Sequence, residues 1–273
     1  MDDATADAYL ARIGATREPP SAAALGTLMG RHLTTVPFEN LSIHLGERIS
    51  LDEAALVDKI VGRRRGGFCY ELNGAFALLL RHLGYDVTML AARVHGDTGP
   101  GPLFDHLTLR VDVDQAPWLV DVGFGRFVVA PFRLDVRDDQ HDLAGVVRVA
   151  ETHEGDLDVR LGDRPQLRVE QRPRVLDDFG PTCWYQQTSP DSHFTQSLTC
   201  SRPTSQGRVT LSGDKLIETV DGVRNEVRLP SAEAIHLAYR VYFGMTLTRL
   251  PVPPGGSPLT PAADRPDTAV QVP

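Results

Sequence analysis

The spacing of apolar residues changes near residue 85, and this change restricts the fold classes open to the chain. Before it, apolar residues recur every three or four positions, as from Leu72 to Leu83, which predicts amphipathic helices. After it they alternate, as from Leu107 to Val113, which predicts strands with one buried face. Helices and strands grouped in separate parts of a chain are typical of α+β proteins. We therefore expect an α+β fold with antiparallel strands.

Two helices are predicted on either side of a loop rich in arginine and glycine, residues 63–67. Ser50 and Glu53 match a capping box, in which the two side chains bind the first free amides of a helix. The second helix is predicted to begin near Cys69 and to end just before Gly84, because glycine readily adopts the left-handed backbone that ends a helix. Cys69 is therefore expected in a first helical turn.

The end of the chain predicts one more helix and a tail. Ser231 is a typical N-cap and Gly244 a typical C-terminal glycine. The segment 251–273 contains seven prolines and has little to bury, so a mobile tail or a strap over the surface is expected there. The core-facing side of the helix is predicted to hold Ile235, Ala238, Val241 and Tyr242.

Cys69 lies in a setting that suits a nucleophile. Gly66 and Gly67 precede it closely and allow the backbone to bend sharply near a ligand. The first turn of a helix stabilises an anion through its free amides and its dipole, which lowers the pKa of a thiol there. The same amides could hold the oxyanion of a tetrahedral intermediate. The alternative is that Cys69 is a small buried core residue.

A cysteine nucleophile needs a base, and the base needs a group that orients it. His106 lies in the predicted strand 104–113, and Asp121 lies in the predicted strand 118–124. A hairpin between these strands brings the two residues close together. His106 could also be an ordinary strand residue, with His95 as the rival base.

Charge and cysteine content exclude several classes of protein. The net charge is −8, which disfavours binding to nucleic acid or to an anionic membrane surface. Three cysteines without C-x-x-C spacing indicate neither a disulfide framework nor a zinc site, so no metal is expected. The first 14 residues are acidic and lack an apolar segment, which argues against a signal peptide. A cytoplasmic protein is predicted.

Several segments together resemble the arylamine N-acetyltransferase family. The segment Arg64–Asn73 contains the sequence RRGGFCYELN, which is similar to the nucleophile motif of that family. Matching segments in the same order are VPFENL at 36–41, HLTL at 106–109 and VDVGFG at 120–125. The resemblance spans about residues 9–245.

The resemblance implies a papain-like or transglutaminase-like thiol enzyme with a helical bundle, a central antiparallel β-barrel and an α/β lid. The corresponding domains are 1–84, 85–195 and 196–250. Cys69 would be the acylated nucleophile, His106 the base and Asp121 its orienting acid. The implied reaction is a ping-pong transfer of acetyl from acetyl-CoA to an arylamine or arylhydrazine, as in xenobiotic metabolism. No tightly bound cofactor is expected, and the oligomeric state stays open.

The resemblance also assigns residues around the triad. Phe38, Phe124 and Val94 would line the amine pocket, and Gly125 would give the acyl group access to the backbone; simple core packing is the alternative for each Phe. Glu39 and Arg65 would form a buried ion pair that positions the loop before Cys69. Arg126 stands where the family often has glycine, so it departs from the pattern or places a cation near a coenzyme A phosphate.

Three other functions are compatible with a chain of this kind. A macrolactam-forming amide synthase of the same fold would use the same triad on a carrier-bound polyketide. A papain-type hydrolase places its histidine 130–150 residues after the cysteine, whereas His106 follows Cys69 by 37. A catalytically inactive scaffold would have lost a member of the triad, and all three candidates are present.

Overall fold

The computed structural model describes residues 1–252 and 254–255. Its helices lie mainly in the first third of the chain, and its strands form two antiparallel sheets further on. The α+β class predicted from the sequence is confirmed. The helices are α1 (Asp3–Ile13), α2 (Ala22–Thr35), α3 (Leu41–His44), α4 (Glu53–Val57), α5 (Cys69–His82), α6 (Gly180–Thr188), α7 (His193–Gln196) and α8 (Ala232–Phe243).

The larger sheet has nine strands and curls into a nearly closed barrel. Its strand order is β6-β5-β4-β2-β10-β9-β8-β7, with β3 paired to β2. The side chain of Gln140 spans the remaining gap, because its amide both accepts from and donates to the backbone of Arg133 (2.7 and 2.8 Å). The strands are β2 (Asp86–Gly96), β3 (Gly99–Pro100), β4 (His106–Val113), β5 (Ala116–Val120), β6 (Phe132–Arg133), β7 (Gln140–Asp142), β8 (Gly145–Glu151), β9 (Leu157–Leu161) and β10 (Arg164–Arg174).

The smaller sheet combines one short strand from the first third of the chain with four strands from the last third. Its order is β1-β11-β12-β13-β14, with every pair antiparallel. Helix α8 packs on this sheet and closes a second, smaller core around Tyr239. The strands are β1 (Phe38–Glu39), β11 (Cys200–Thr204), β12 (Gly207–Ser212), β13 (Lys215–Val220) and β14 (Val223–Arg228).

Helix α5 is the central helix of the larger core. All of its residues from Cys69 to Leu80 are buried, because one side contacts the other helices and the opposite side contacts β2 and β4 of the barrel. Gly84 follows its end with a φ of 93°, as the sequence predicted. The helix thereby carries its first residue to the place where β4 begins.

Two helix predictions were wrong in detail. The helix expected at Ser50 begins at Glu53, because Asp52 caps it by accepting from the amide of Ala55 (3.1 Å). The serine hydroxyl instead accepts from the amide of Asp52 (3.2 Å). An aspartate nearer the apolar stripe therefore takes the capping role.

The face predicted for α8 was also partly wrong. Ile235 and Ala238 are buried as expected, but Val241 is 58% exposed and Tyr242 is only half-buried. The large residues that enter the core are Tyr239 and Phe243. The two aromatic rings fill more of this small core than a valine could, so the helix turns them inward.

The structure describes little of the tail. The predicted segment 251–273 lies outside the described residues except at 251, 252, 254 and 255. None of the helices within the described ranges is long and apolar enough to cross a membrane.

Candidate active site

A tight hairpin brings the predicted base and acid together. Val113 pairs with Ala116, and the two residues between them, Asp114 and Gln115, both have positive φ (52° and 59°). Such two-residue turns match the natural twist of paired strands. The register places Leu109 opposite Val120, so residues near the start of β4 face those just after β5. His106 and Asp121 occupy these positions.

Asp121 ends its strand instead of lying within it, which corrects the strand predicted over 118–124. Strand β5 stops at Val120, and the carboxylate of Asp121 accepts from the amide of Gly123 two residues on (2.9 Å). Aspartate commonly bends the backbone in this way. The bend carries the chain away from the sheet and leaves the carboxylate 1% exposed.

His106 and Asp121 form a short buried ion pair. Nε2 of His106 lies 2.5 Å from Oδ2 of Asp121. Burial by itself lowers the pKa of His106, but the charges of Asp121 and Cys69 and a hydrogen bond to each of them raise this pKa to about 10. Burial would raise the pKa of Asp121, and the His106 charge holds it below its usual value. The pair therefore favours an imidazolium next to the thiol.

Asn73 joins the helix to this pair, and sequence reasoning gave it no role. Its amide nitrogen donates to Oδ1 of Asp121 (2.9 Å) and to the carbonyl of Leu107 (2.7 Å). Its oxygen accepts from the amide of Val122 (2.9 Å). Asn73 lies one helical turn after Cys69, on the same face of α5. This spacing was visible in the sequence and could have identified it.

Cys69 is the first residue of α5, as predicted, and is packed tightly against the bend at Asp121. A side chain added at Gly123 would come within 2.6 Å of the Cys69 Cα, so only glycine lets the two segments touch. The thiol lies 4.0 Å from the carbonyl of Asp105. The amides of Cys69 and Tyr70 have no acceptor among the described residues, which leaves them available to an oxyanion.

The loop before Cys69 is fastened to β1. The amide of Glu39 donates to the carbonyl of Gly67 (2.8 Å), and the amide of Gly67 donates to the carbonyl of Pro37 (3.4 Å). A side chain at Gly66 would overlap that same Pro37 carbonyl. The glycines are therefore needed so that this loop can lie directly against β1.

Glu39 and Arg65 form the ion pair that the sequence suggested. Their side chains lie 2.9 Å apart, and Glu39 is fully buried. Glu39 also accepts from the amide of Leu41 (2.7 Å). Burial would raise the pKa of Glu39, but the charges of Lys59 and Arg65 lower it. A charged carboxylate thus holds the loop from inside.

A second buried ion pair, which the sequence did not reveal, lies beside the first. Nζ of Lys59 is 2.5 Å from Oε1 of Glu71, and Oε2 of Glu71 accepts from the amide of Phe68 (3.2 Å). Burial raises the pKa of Glu71 despite Lys59. The second pair therefore binds the backbone residue just before the nucleophile, while Glu39 of the first pair binds the start of α3. We call Glu39, Lys59, Arg65 and Glu71 the loop cluster, and Cys69, Asn73, His106 and Asp121 the triad cluster.

Three of the predicted pocket residues surround the triad cluster. The ring of Phe124 packs edge-on against His106, with 5.4 Å between ring centroids. Gly125, whose φ is 82°, lies so close to Phe38 that a Cβ would be 3.3 Å from its ring. Val94 is linked to the site through Asp105: its amide donates to the carboxylate of that residue (3.4 Å), whose carbonyl approaches Cys69.

Two arginines lie at the same side of the site. Arg208 lines a small cavity with Asp121, Phe124 and Gly125. Burial and the nearby charge of Arg126 lower the pKa of Arg208 to about 10. Within residues 1–252 and 254–255, neither arginine has a carboxylate within 4 Å.

The rival base lies elsewhere, and the two other thiols are held inactive by burial. His95 faces Asp158 on the barrel, with 3.8 Å between Nε2 and Oδ1. Burial raises the pKa of Cys183 to about 12 and also raises that of Cys200. These two thiols are therefore held in the neutral, unreactive form.

Comparison with known sequences finds relatives over most of the chain. A family model described as N-acetyltransferase matches residues 21–252. The chain is 35% identical to an arylamine N-acetyltransferase of Mycolicibacterium smegmatis, over 88% of this chain and 91% of that protein. It is 30% identical to human arylamine N-acetyltransferase 1, over 92% and 97%.

Solved structures of similar proteins have the same fold. The arylamine N-acetyltransferase of Salmonella typhimurium superposes with a TM-score of 0.82 at 30% identity, covering 90% of this chain and 92% of that one. The Mycobacterium marinum enzyme in complex with CoA superposes with a TM-score of 0.78 at 32% identity, covering 88% and 92%.

Proposed function

The chain belongs to the arylamine N-acetyltransferase family, and from this we propose that it acetylates arylamines from acetyl-CoA through a thioester on Cys69. The observation that supports this most directly is the triad cluster. It joins a thiol at a helix start to a buried His106–Asp121 pair at 2.5 Å. The macrolactam-forming alternative has no such support, since the relatives named above are arylamine N-acetyltransferases.

In the first half-reaction, the thiolate of Cys69 attacks the carbonyl carbon of acetyl-CoA. The oxyanion that forms is held by the free amides of Cys69 and Tyr70 at the start of α5. The intermediate collapses by breaking the bond to the coenzyme A sulfur. His106 as imidazolium gives its proton to that sulfur, which leaves as a thiol.

In the second half-reaction, the amine nitrogen attacks the thioester. His106, now neutral, takes the proton that the amine loses, and Cys69 departs as thiolate beside the restored imidazolium. An aromatic amine suits this step because its nitrogen is neutral at pH 7, whereas an alkyl ammonium has no free lone pair. Asp121 and Asn73 orient His106 throughout.

The acceptor would lie among Phe38, Phe124 and Gly125. The edge-on packing of Phe124 on His106 places an aromatic wall at the base, where the amine nitrogen must come. Val94 would complete this pocket from β2, next to Asp105.

The acyl donor carries several phosphates, and this acidic chain has to attract it locally. Arg208 and Arg126, both near Gly125, supply positive charge at one side of the triad cluster. We assign them to the coenzyme A end of the donor. Arg126 is then a cation for a phosphate, in place of the glycine that the family often has.

Intact-mass spectrometry tests the proposal. Incubation with acetyl-CoA in the absence of amine should add one acetyl group to the protein, and addition of an arylamine should remove it. Cys69→Ala should show no adduct. Cys183→Ala and Cys200→Ala, the matched controls, should be acetylated like the wild type. If the wild type stays unmodified, the thioester mechanism is wrong.

The base is tested by alkylation of Cys69 near pH 6. The raised pKa of His106 keeps an imidazolium beside Cys69 at that pH, so Cys69 should react quickly with the alkylating reagent. His106→Gln should remove this fast reaction, and His95→Gln should not. The same rate in wild type and His106→Gln would exclude His106 as the partner of the thiol.

A further inference from the structure

Strand β14 is the last strand of the smaller sheet. It pairs with β13 on one side, and no described strand lies on its other side. All six residues from Val223 to Arg228 are exposed. They include two valines, Val223 and Val227, that are 72% and 48% exposed. Such an edge offers unpaired backbone groups to any extended chain.

The hydrogen-bonding direction of each residue in β14 follows from the hairpin. The amide of Leu229 donates inward to the carbonyl of Asp214. Because direction alternates along a strand, residues 223, 225 and 227 also bond inward to β13. Residues 224, 226 and 228 therefore present N–H and C=O outward. In an antiparallel pair of edge strands, two opposite residues must either both direct their N–H and C=O towards the other strand or both direct them back into their own sheet.

This rule leaves few symmetric pairings between two copies of β14. The rule is obeyed only when the two-fold axis passes through a residue and not between two residues. Two such registers, centred on Asn225 and on Glu226, align five residues of each strand. The register centred on Glu226 would place this carboxylate against its own copy and Arg224 against the partner's Arg228. Both contacts would repel.

The register centred on Asn225 gives the opposite result. Arg224 faces the partner's Glu226 twice over, on one side of the extended sheet. Val223 faces the partner's Val227, also twice, on the other side. Both charged residues among the five that are aligned thus meet an opposite charge, and the exposed valines cover each other.

We propose that β14 is a self-recognition edge that pairs antiparallel with β14 of a second copy of this chain, centred on Asn225. Charges on edge strands usually prevent pairing with other chains. Here the charges still repel a strand whose charges follow a different order. They attract a second copy of β14, because Arg224 of each copy then faces Glu226 of the other. The two five-stranded sheets would join into one sheet of ten strands.

The position of the edge implies that pairing leaves catalysis unchanged. Strand β1, which holds the loop before Cys69, is at the opposite edge of the sheet. With strands about 4.8 Å apart, the two edges are separated by ~19 Å. The active sites would lie at the outer ends of the dimer. One strand pair is a small contact, so the association should be weak and depend on concentration.

Sedimentation at increasing protein concentration, up to about 0.5 mM, tests the proposal with charge variants. The wild type should shift from monomer to dimer. Arg224→Glu and Glu226→Arg should each weaken dimerisation about tenfold or more, because each turns two attractive contacts into repulsive ones. The double variant, with both changes in one chain, should dimerise like the wild type. An equimolar mixture of the two single variants should form a heterodimer.

Arg164→Glu is the matched control, since it reverses an exposed strand charge on the barrel and should leave dimerisation unchanged. Acetylation activity and melting temperature should stay at the wild-type level in all these variants, which separates loss of pairing from loss of fold. A wild type that stays monomeric, single variants that dimerise normally, or a double variant that does not recover would each overturn the proposal.

Discussion

Two buried clusters of charge flank the start of α5, and they differ in what they bind. The triad cluster extends from Asn73 and Asp121 through His106 to the thiol of Cys69. The loop cluster ends on backbone amides, with Glu39 on that of Leu41 and Glu71 on that of Phe68. One therefore acts on a reacting atom, while the other holds the chain that presents this atom.

The difference is also visible in how charge is balanced. The loop cluster holds two cations and two carboxylates, so it needs no outside group. In the triad cluster, the imidazolium is balanced by Asp121 on one side and by Cys69 on the other. When the thiolate attacks the acyl carbon it loses its charge, and His106 can then give its proton to the leaving sulfur. Both clusters are buried, so burial does not distinguish their roles. The roles differ because one cluster ends on the thiol of Cys69 and the other ends on backbone amides.

The largest effect is expected from Asp121→Asn. The amide cannot balance an imidazolium, so the pKa of His106 should fall and the thiolate lose its partner. We expect kcat/KM for arylamine acetylation to drop on the order of 10³–10⁴-fold, measured by steady-state kinetics. The melting temperature should change much less than the activity. An activity within tenfold of the wild type would show that Asp121 is a structural residue only.

The triad shows how far sequence alone could go. The hairpin and the helix start were predictable because turn chemistry and apolar spacing are local properties, and these made Cys69, His106 and Asp121 candidates. The choice of His106 over His95 came from the family resemblance. The loop cluster was only half predictable. Lys59 and Glu71 are twelve positions apart and become partners only when α4, its π-helical continuation (Asp58–Gly62) and α5 pack together.

The next effect in size is that of Arg65→Met on stability. This change leaves Glu39 charged and fully buried without its closest partner. We expect a loss of about 3–5 kcal/mol in the free energy of unfolding, measured by urea denaturation. Activity per folded molecule should fall far less than in Asp121→Asn, because the thiol keeps its base.

Arg63→Met is the matched control for Arg65→Met. Arg63 belongs to the same arginine triplet, but its ion pair with Asp58 lies at the surface, where such pairs contribute little. Its free energy of unfolding should stay within about 0.5 kcal/mol of the wild type. Equal losses in the two variants would mean that the loop depends on general positive charge and not on the buried pair.

Lys59→Met should have the smallest effect, and this effect should depend on pH. The pKa of Glu71 is already raised by burial, and loss of Lys59 raises it further, so the folded variant binds a proton there. A folded-state pKa above the unfolded value of 4.5 means that stability is retained at low pH and lost as the pH rises towards the folded pKa. At 1.36 kcal/mol per pH unit, the part of the loss that comes from Glu71 is limited to about 1 kcal/mol at pH 5 and about 3 kcal/mol at pH 7.

Urea denaturation at both pH values measures the Lys59→Met effect, and the chain supplies its own control. The other lysine, Lys215, is partly exposed and binds Glu226 at the surface; Lys215→Met should change the free energy of unfolding by less than about 0.5 kcal/mol at either pH. A loss in Lys59→Met that is the same at pH 5 and pH 7 would show that Glu71 stays charged without its partner. The loop cluster would then tolerate a charged Glu71 without its cation, whereas we expect that the triad cluster cannot tolerate Asp121 without the imidazolium.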